Sequence, residues 1–141
     1  MNNDVIYKFL KEKFSSSDHS CMIFVGKDLL FSSDKRGVSP LIDFIDSFDS
    51  PGNYLLADKV IGKAAALLCL KAGIKAIYTN LISTQAKKLL NEHGLPVRFE
   101  NEVPAVQNRS LTGLCPMESL SKGVETPEEM YSKVVDWLQL K

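Results

Sequence analysis

The feature of this sequence that most constrains its fold is an apolar, alanine-rich run from Val60 to Leu70, VIGKAAALLCL. A helix that is apolar nearly all the way round cannot lie on a surface and has to be covered by other elements. Gly73 follows the run and stands where the left-handed residue that ends a helix is expected. We therefore predict a helix over Val60 to Leu70, buried against a sheet at the centre of the fold.

Strand patterns lie on both sides of this run. Cys21 to Val25 and Leu29 to Phe31 flank a glycine-containing turn, which is typical of a β-hairpin. Lys75 to Ile82 predicts a third strand. Val97 to Val103 alternates apolar with charged side chains, as a half-buried strand does.

Helical patterns account for most of the remaining chain. The predicted helices are Asp4–Phe14, Pro40–Ser47 after an N-cap at Ser39, Thr84–His93, a short helix from Pro116, and a C-terminal helix that begins after Thr126. Together the elements predict one α/β (α+β) domain over residues 1–141. We expect three α/β/α layers with a mixed sheet of about four to five strands.

Composition and charge exclude several classes of protein. The 17 Lys and Arg residues balance 17 Asp and Glu residues, so the chain lacks the basic footprint of a general nucleic-acid binder. Its apolar runs are far shorter than the roughly 20 residues of a membrane-spanning helix. Met1 to Asp4 does not open the basic region and apolar core of a secretion signal, so we expect no export. We expect a cytoplasmic protein with neither a membrane nor a nucleic-acid partner. Cys21, Cys69 and Cys115 are too far apart for a disulfide framework or a CxxC motif, so we predict no metal site.

The first candidate site is the segment Ala57 to Lys63, at the start of the predicted central helix. Free backbone N–H groups and the positive end of a helix dipole favour an anion there, and Lys59 and Lys63 add positive charge beside Gly62. A phosphate-bearing ligand would suit such a site. The alternative is structural: Asp58 caps the helix, the lysines are solvated, and Gly62 permits close packing. The segment is not a Walker A loop, because its Gly-Lys pair is followed by alanine.

The second candidate site is the loop Asn108 to Glu118, NRSLTGLCPME. Cys115 precedes Pro116 and is predicted to cap the short helix, with Glu118 as its capping-box partner. Thiolates are stabilised at helix N-termini, which would make Cys115 a nucleophile or a redox-sensitive group. A small residue in a tight turn is the alternative.

Three polar residues of the same loop are further candidates for ligand contact. Arg109 would clamp a carboxylate or a phosphate with two hydrogen bonds, or would pair with an acidic residue of the fold. Asn108 would contact the ligand or stabilise the turn, and Thr112 is a candidate ligand contact beside them.

Three stretches of the sequence, taken together, resemble a family of small, functionally uncharacterised prokaryotic proteins with a cytidine-deaminase-like fold. They are KRGVSPL, ADKVIGKAAALL and VPAVQNRSLTGLCPMESL, and the resemblance runs from about Cys21 to the final helix. It implies a sheet covered by helices, with a pocket where the central helix begins and the loop after Val103 returns. Because deaminase-like domains commonly self-associate, the resemblance also implies a homo-oligomer.

The sequence departs from zinc-dependent deaminases at both of their metal-binding motifs. Those enzymes carry H/C-x-E at the start of the central helix and PCxxC at the start of the next one, which hold the zinc and the proton-transferring Glu. Here the first motif is replaced by ADK at 57–59 and the second by LISTQA at 81–86. Because no zinc ligand set remains, we expect no zinc-dependent deamination.

Three functional hypotheses account for these residues. The leading one is a domain that binds a nucleotide or a phosphorylated metabolite, with lysine at the helix N-terminus keeping a positive charge where deaminases hold zinc. Its ligand-binding residues would be Asp58, Lys59, Gly62, Lys63, Asn108, Arg109, Thr112 and Glu118. No cofactor is predicted other than a bound nucleotide. The second hypothesis is an enzyme with Cys115 as nucleophile, Lys59 or Asp58 as the proton-transfer group and Glu118 as the orienting partner. The third is a non-catalytic interaction or oligomerisation module.

Overall fold

The structure is a computed structural model and describes residues 3–48, 50–107 and 115–139. Within these ranges the chain forms six helices and five strands. In chain order they are α1 (Asn3–Ser15), β1 (Cys21–Val25), β2 (Asp28–Ser33), α2 (Ser39–Ser47), β3 (Tyr54–Ile61), α3 (Lys63–Ala72), β4 (Ile74–Ser83), α4 (Thr84–Glu92), β5 (Val97–Val103), α5 (Pro116–Leu120) and α6 (Pro127–Gln139). None of the described helices is long and apolar enough to cross a membrane.

The strands form one mixed sheet in the order β2-β1-β3-β4-β5. β1 lies antiparallel to both β2 and β3, whereas β3, β4 and β5 run parallel to one another. Two helices connect the parallel strands, α3 between β3 and β4 and α4 between β4 and β5. Both helices therefore begin at the same end of the sheet, where the parallel strands finish. The arrangement confirms the predicted α/β protein with a mixed sheet.

The central helix is shorter than predicted, because the residues before it form a strand. Tyr54–Ile61 is β3, in the middle of the sheet, and α3 begins only at Lys63. The prediction of a helix from Val60 was therefore wrong. β3 has a strand on each side and most of its residues are buried. It thus lacks the alternation of a half-buried strand, and a short apolar run of this kind does not distinguish strand from helix.

α3 has the surroundings that its composition requires. Seven of its ten residues are buried. It lies against the sheet, and α2, α4 and α6 pack around it. Gly73 follows it in the left-handed conformation, with φ 76°, which residues with a Cβ seldom adopt. The prediction of a buried central helix that ends at this glycine is confirmed.

The opposite face of the sheet is covered by α1. Tyr7, Leu10 and Phe14 of this helix pack against alternate side chains of β1, β3 and β4. In β3, Leu55 lies on the α1 side, whereas the next residue, Leu56, lies on the α3 side. Successive residues of one strand thus contribute to two separate cores, as the geometry of a strand dictates.

The remaining helix starts lie close to their predicted positions. α6 begins after Thr126, whose hydroxyl accepts a hydrogen bond from Glu129 N at 3.2 Å, as the predicted cap requires. In α2 the N-cap is Val38 and Ser39 is the first helical residue, so the prediction of Ser39 as the cap was wrong by one position.

Substitution of Leu68 tests how much the burial of α3 contributes to the stability of the fold. Its side chain is fully buried, whereas Leu29 on the edge strand β2 is 48% exposed. Leu68→Ala should lower the free energy of unfolding by about 2–5 kcal/mol, because it removes buried apolar contacts and leaves a cavity. Leu29→Ala is the matched control and should lower it by less than about 1 kcal/mol. Urea unfolding measures both values, and equal losses in the two variants would contradict the central place of α3.

Candidate functional site

The N-terminus of α3 lies at the carboxyl end of β3 and begins at Gly62 and Lys63. Gly62 is the N-cap residue and has no side chain with which to accept a hydrogen bond from the helix. The first backbone hydrogen bond of the helix runs from Ala66 N to Gly62 O, at 2.9 Å. The N–H groups of Lys63, Ala64 and Ala65 precede that bond, so they have no acceptor within the helix.

Glu118, 55 residues further along the chain than Lys63, supplies an acceptor. Its Oε1 accepts from Lys63 N at 3.3 Å, and its Oε2 accepts from Val106 N at 3.3 Å. Only 9% of the residue is exposed. A carboxylate at this end of a helix is stabilised by the helix dipole, and hydrogen bonds to a charged group are stronger than neutral ones. The chain's own carboxylate therefore lies at the helix N-terminus for which the sequence predicts an anionic ligand.

The role of Glu118 differs from the predicted one. A capping box would direct its side chain to the backbone N–H of Cys115, at the start of its own helix α5. Cys115 N instead donates to Val106 O at 2.9 Å, and the Glu118 carboxylate reaches across to α3. The capping-box prediction was wrong, because donors that are distant in the sequence compete for the same carboxylate.

Gly62 has a steric reason to be glycine. Its φ of −97° is available to any residue, so backbone freedom does not explain it. A Cβ at this position would lie 2.5 Å from Glu118 Oε1 and 3.4 Å from Val106 Cγ2. The first of these distances is too short for any real contact. Gly62 therefore permits the close approach of the Glu118 carboxylate to the start of α3.

α4 begins at the same end of the sheet and offers an internal comparison. Its N-cap residue, Ser83, accepts a hydrogen bond from Ala86 N at 3.1 Å through its hydroxyl. The next residue, Thr84, donates its hydroxyl hydrogen to Glu102 at 2.8 Å. α4 is thus capped by the residue that directly precedes it, whereas α3 depends on a carboxylate from another element.

Asp58, a predicted ligand-binding or catalytic residue, lies within β3 rather than at the helix start. It pairs with Cys21 of β1 and is 6% exposed, so the alternative of a helix cap was wrong. Burial raises the pKa of Asp58 to about 7, although hydrogen bonds from Val60, Lys59 and Cys21 and the charge of Lys59 act against the shift. Burial and the neighbouring Asp58 also raise the pKa values of the Cys21 and Cys69 thiols.

The two predicted lysines have different surroundings. Lys63 is the first residue of α3 and is half-buried, and its backbone N–H is the group that donates to Glu118. Lys59 is exposed in β3, where its backbone N donates to Ser20 O at 3.2 Å. Lys63 is therefore the lysine that the structure places at the candidate anion site.

Cys115 stands at the start of α5 and is half-buried. Its backbone contacts are with Val106 and with α5, whereas the carboxyl group of Asp58 contacts Cys21 and its own strand. Among the described residues, no hydrogen bond or ion pair joins Cys115 to Asp58 or Lys59. Three further predicted residues, Asn108, Arg109 and Thr112, lie outside the part of the chain that the structure describes.

Two other features of the described surface are less suited to a site. In residues 3–48, 50–107 and 115–139, no group of three or more His, Cys, Asp or Glu side chains is arranged to hold a metal ion. An open depression between α4 and β5 is lined in part by Thr84, Lys87 and Glu102. Two of its charges are already paired with each other, because Lys87 Nζ lies 3.1 Å from Glu102 Oε1.

The fold and the start of α3 define an α/β protein with a mixed five-stranded sheet and a candidate anion site beside its central helix. Residues 9–138 match the family TM1506, described as a domain of unknown function, DUF1893, and the chain belongs to this family. A crystal structure of a DUF1893 family protein (TM1506) from Thermotoga maritima is similar, with 30% sequence identity and a TM-score of 0.86. The match covers 96% of this chain and 91% of that chain. Comparison with curated proteins gives no match. The predicted membership of an uncharacterised family is confirmed.

A double-mutant cycle tests the contact between Gly62 and Glu118. Gly62→Ala should lower the free energy of unfolding by about 1.5–3 kcal/mol, because the new methyl group displaces the carboxylate from Lys63 N. In a Glu118→Ala background the same substitution should cost less than about 0.5 kcal/mol, because nothing remains to be displaced. Denaturant unfolding of the four chains gives the coupling. Additive effects would show that Gly62 is needed for some reason other than Glu118.

The pH dependence of stability tests the burial of Asp58. Its pKa is raised from 3.8 in the unfolded chain to about 7, so the folded state holds the proton where the unfolded state has lost it. Stability should therefore fall as the pH rises from about 4 to about 7. Asp58→Asn removes the titration, and the parent chain should lose about 3–4 kcal/mol more than this variant across that window. Urea unfolding at successive pH values measures the difference, and parallel profiles would contradict it.

Proposed function

We propose that the chain binds a nucleotide or another phosphorylated metabolite at the N-terminus of α3. The observation that carries the proposal is the Glu118 carboxylate, which is nine-tenths buried and accepts a hydrogen bond from Lys63 N. It supports the view that this helix end accommodates an oxyanion of the size of a carboxylate. A phosphate group has the same kind of oxygen acceptors and more negative charge, so the same N–H groups would bind it in place of Glu118.

The charges around the site support a ligand anion over a permanent carboxylate cap. Lys63 lies at the site, and its ammonium group would add an attraction to phosphate beyond that of the helix dipole. Glu118 is held from α5, a helix of only five residues, and is bonded to Val106 as well. A ligand phosphate would have to displace the carboxylate from Lys63 N, and its own hydrogen bonds to the same helix N-terminus would offset the cost of that displacement.

The position of the site within the sheet is a second support. Ligands of parallel α/β sheets bind beyond the carboxyl ends of the strands. α3 begins at that end of β3, beside the strand pair where the sheet changes from antiparallel to parallel. The candidate site therefore lies where this class of sheet commonly binds small molecules.

The finer description of the fold is also a proposal. We infer a cytidine-deaminase-like fold in three layers, and the support is the order β2-β1-β3-β4-β5 with α1 on one face and α3 on the other. In such a fold the start of α3 corresponds to the helix that carries the first zinc motif in deaminases. Gly62 and Lys63 stand at that point here. The enzyme hypothesis for Cys115, the interaction module, the homo-oligomer and the cytoplasmic location stay predictions.

Glu118→Gln tests the proposed binding site. The amide keeps the shape of the side chain but removes the negative charge that competes with the ligand, which is worth on the order of 1–2 kcal/mol. Titration with AMP, CMP and inorganic phosphate in a calorimeter should show affinities about tenfold tighter than those of the parent chain. Glu125→Gln is the matched control, because Glu125 is exposed and outside the site, and it should leave the affinities unchanged.

Lys63→Ala supplies the opposite test. In the Glu118→Gln chain it should weaken binding about tenfold, because it removes the positive charge carried by the first residue of α3. Lys122→Ala, an exposed lysine that follows α5, should have no effect. The proposal is wrong if none of the three probes binds to the parent chain or to Glu118→Gln, or if Glu118→Gln and Glu125→Gln bind them equally.

A further inference from the structure

A buried acid lies at the point where β1 meets β3. Asp58 is the last residue of β3 that pairs with β1, and Cys21, the first residue of β1, lies opposite it. The next residue, Lys59, donates its backbone N–H to Ser20 O at 3.2 Å, which closes this end of the strand pair. Only 6% of Asp58 is exposed. Its carboxyl group is therefore enclosed by the contacts that hold Ser20 and Cys21 on β3.

The groups around this carboxyl come from four elements. β1 contributes the Cys21 thiol and α3 contributes the Cys69 thiol. β4 contributes Thr79, which pairs with Asp58 but donates its hydroxyl hydrogen to Leu81 O at 3.1 Å. β3 itself contributes Val60 N, at 3.4 Å from Oδ1, a hydrogen bond from the Lys59 backbone, and the charge of Lys59.

None of these groups neutralises an ionised carboxylate well. Lys59 is exposed and is the neighbour of Asp58 in a strand, so its side chain points to the other face of the sheet. The ion pairs among the described residues do not include Asp58. Thiols are weak donors, and a 3.4 Å hydrogen bond is long. A charge at this position therefore needs water, which the closed structure keeps out.

Ser20 lies beside the buried acid at the end of the β1–β3 strand pair. β1 begins at Cys21, so Ser20 is the last residue before the loop and is half-buried. Beyond Cys21 the strand pair is held by the bond between Lys59 N and Ser20 O. The other sides of Asp58 are covered by β4 and α3.

We propose that the proton on Asp58 is a latch that holds the start of β1 on β3. With the proton in place, the carboxyl stays in the core and Ser20 and Cys21 stay paired with β3. When the proton is lost to solvent, the carboxylate draws in water and Ser20 and Cys21 separate from β3. The pKa of Asp58, about 7 because of its burial, agrees with a latch that operates near neutral pH. The latch is independent of the proposed ligand site, because its contacts do not involve Glu118.

Amide hydrogen exchange of Lys59 tests the latch, because its N–H bond to Ser20 O is the one that opens. In the open form Asp58 is an ordinary carboxyl group that ionises near pH 4, whereas in the closed form it keeps its proton up to about pH 7. The fraction of open molecules should therefore rise by up to about tenfold per pH unit between about pH 4 and 7, and should be constant above pH 7. After correction for the intrinsic exchange rate, the Lys59 amide should exchange at least about tenfold faster at pH 7 than at pH 5. Ile77 N of β4, bonded to Pro96 O at 3.0 Å on the β5 side of the sheet, is the reference for opening away from the β1–β3 strand pair.

Two variants complete the experiment. In Asp58→Asn the corrected rate of the Lys59 amide should not depend on pH, whereas in Asp136→Asn, an exposed acid of α6, it should follow the parent chain. The parent chain alone can overturn the proposal, should Asp58→Asn not fold. A corrected Lys59 rate that is constant from pH 5 to 7, or one no faster than that of Ile77, would show that no local opening depends on this proton.

Discussion

The burial of α3 is the constraint on which the rest of the structure depends. A helix with so few polar side chains is stable only when the sheet and α2, α4 and α6 surround it. The same packing leaves its N-terminus half-buried at Gly62 and Lys63, where backbone N–H groups have no acceptor within the helix. Water is then a poor substitute for a protein acceptor, so a carboxylate has to come from elsewhere in the chain. Glu118 supplies it, and the space that it needs requires glycine at position 62.

Burial of β3 has a less favourable consequence at Asp58. A central strand covered on both faces has no exposed side on which to place a charged side chain. Lys59 and Val60, at the end of the strand, are exposed, but Asp58 lies one position earlier and faces the α3 side of the sheet. Burial raises the pKa of Asp58 to about 7, so below that pH the acid carries a proton and is neutral, the form that a core without charges favours. The free energy of the fold therefore depends on the proton at this one position.

The sequence predicts the elements whose patterns are local. α3 follows from its apolar run and Gly73, the β1–β2 hairpin from two apolar runs around a turn, and α6 from the cap at Thr126. The pattern misses β3, because a strand buried on both faces has no alternation, and it assigns the end of β3 to the helix. It also misses the partner of Glu118. From the sequence alone, Glu118 is predicted to cap its own helix α5. Its actual partners, Lys63 N and Val106 N, are distant in the sequence and come close to it only in the folded chain.

The candidate site illustrates the same division. Positive charge near the start of the central helix is predictable, but the sequence pattern starts that helix at Val60 and assigns Asp58 to the same site. The structure starts the helix at Lys63 and places Asp58 within β3. Asp58 and Glu118 are both buried acids near the end of β3, but the surroundings of Glu118 favour a negative charge and those of Asp58 favour a neutral group. Glu118 meets a helix dipole and two N–H donors, which favour an anion, whereas Asp58 meets thiols and a covered sheet, which favour a neutral group. An incoming anion would therefore compete with Glu118 and avoid Asp58, so the ligand chemistry of this fold belongs to the end of α3 and not to the strand before it.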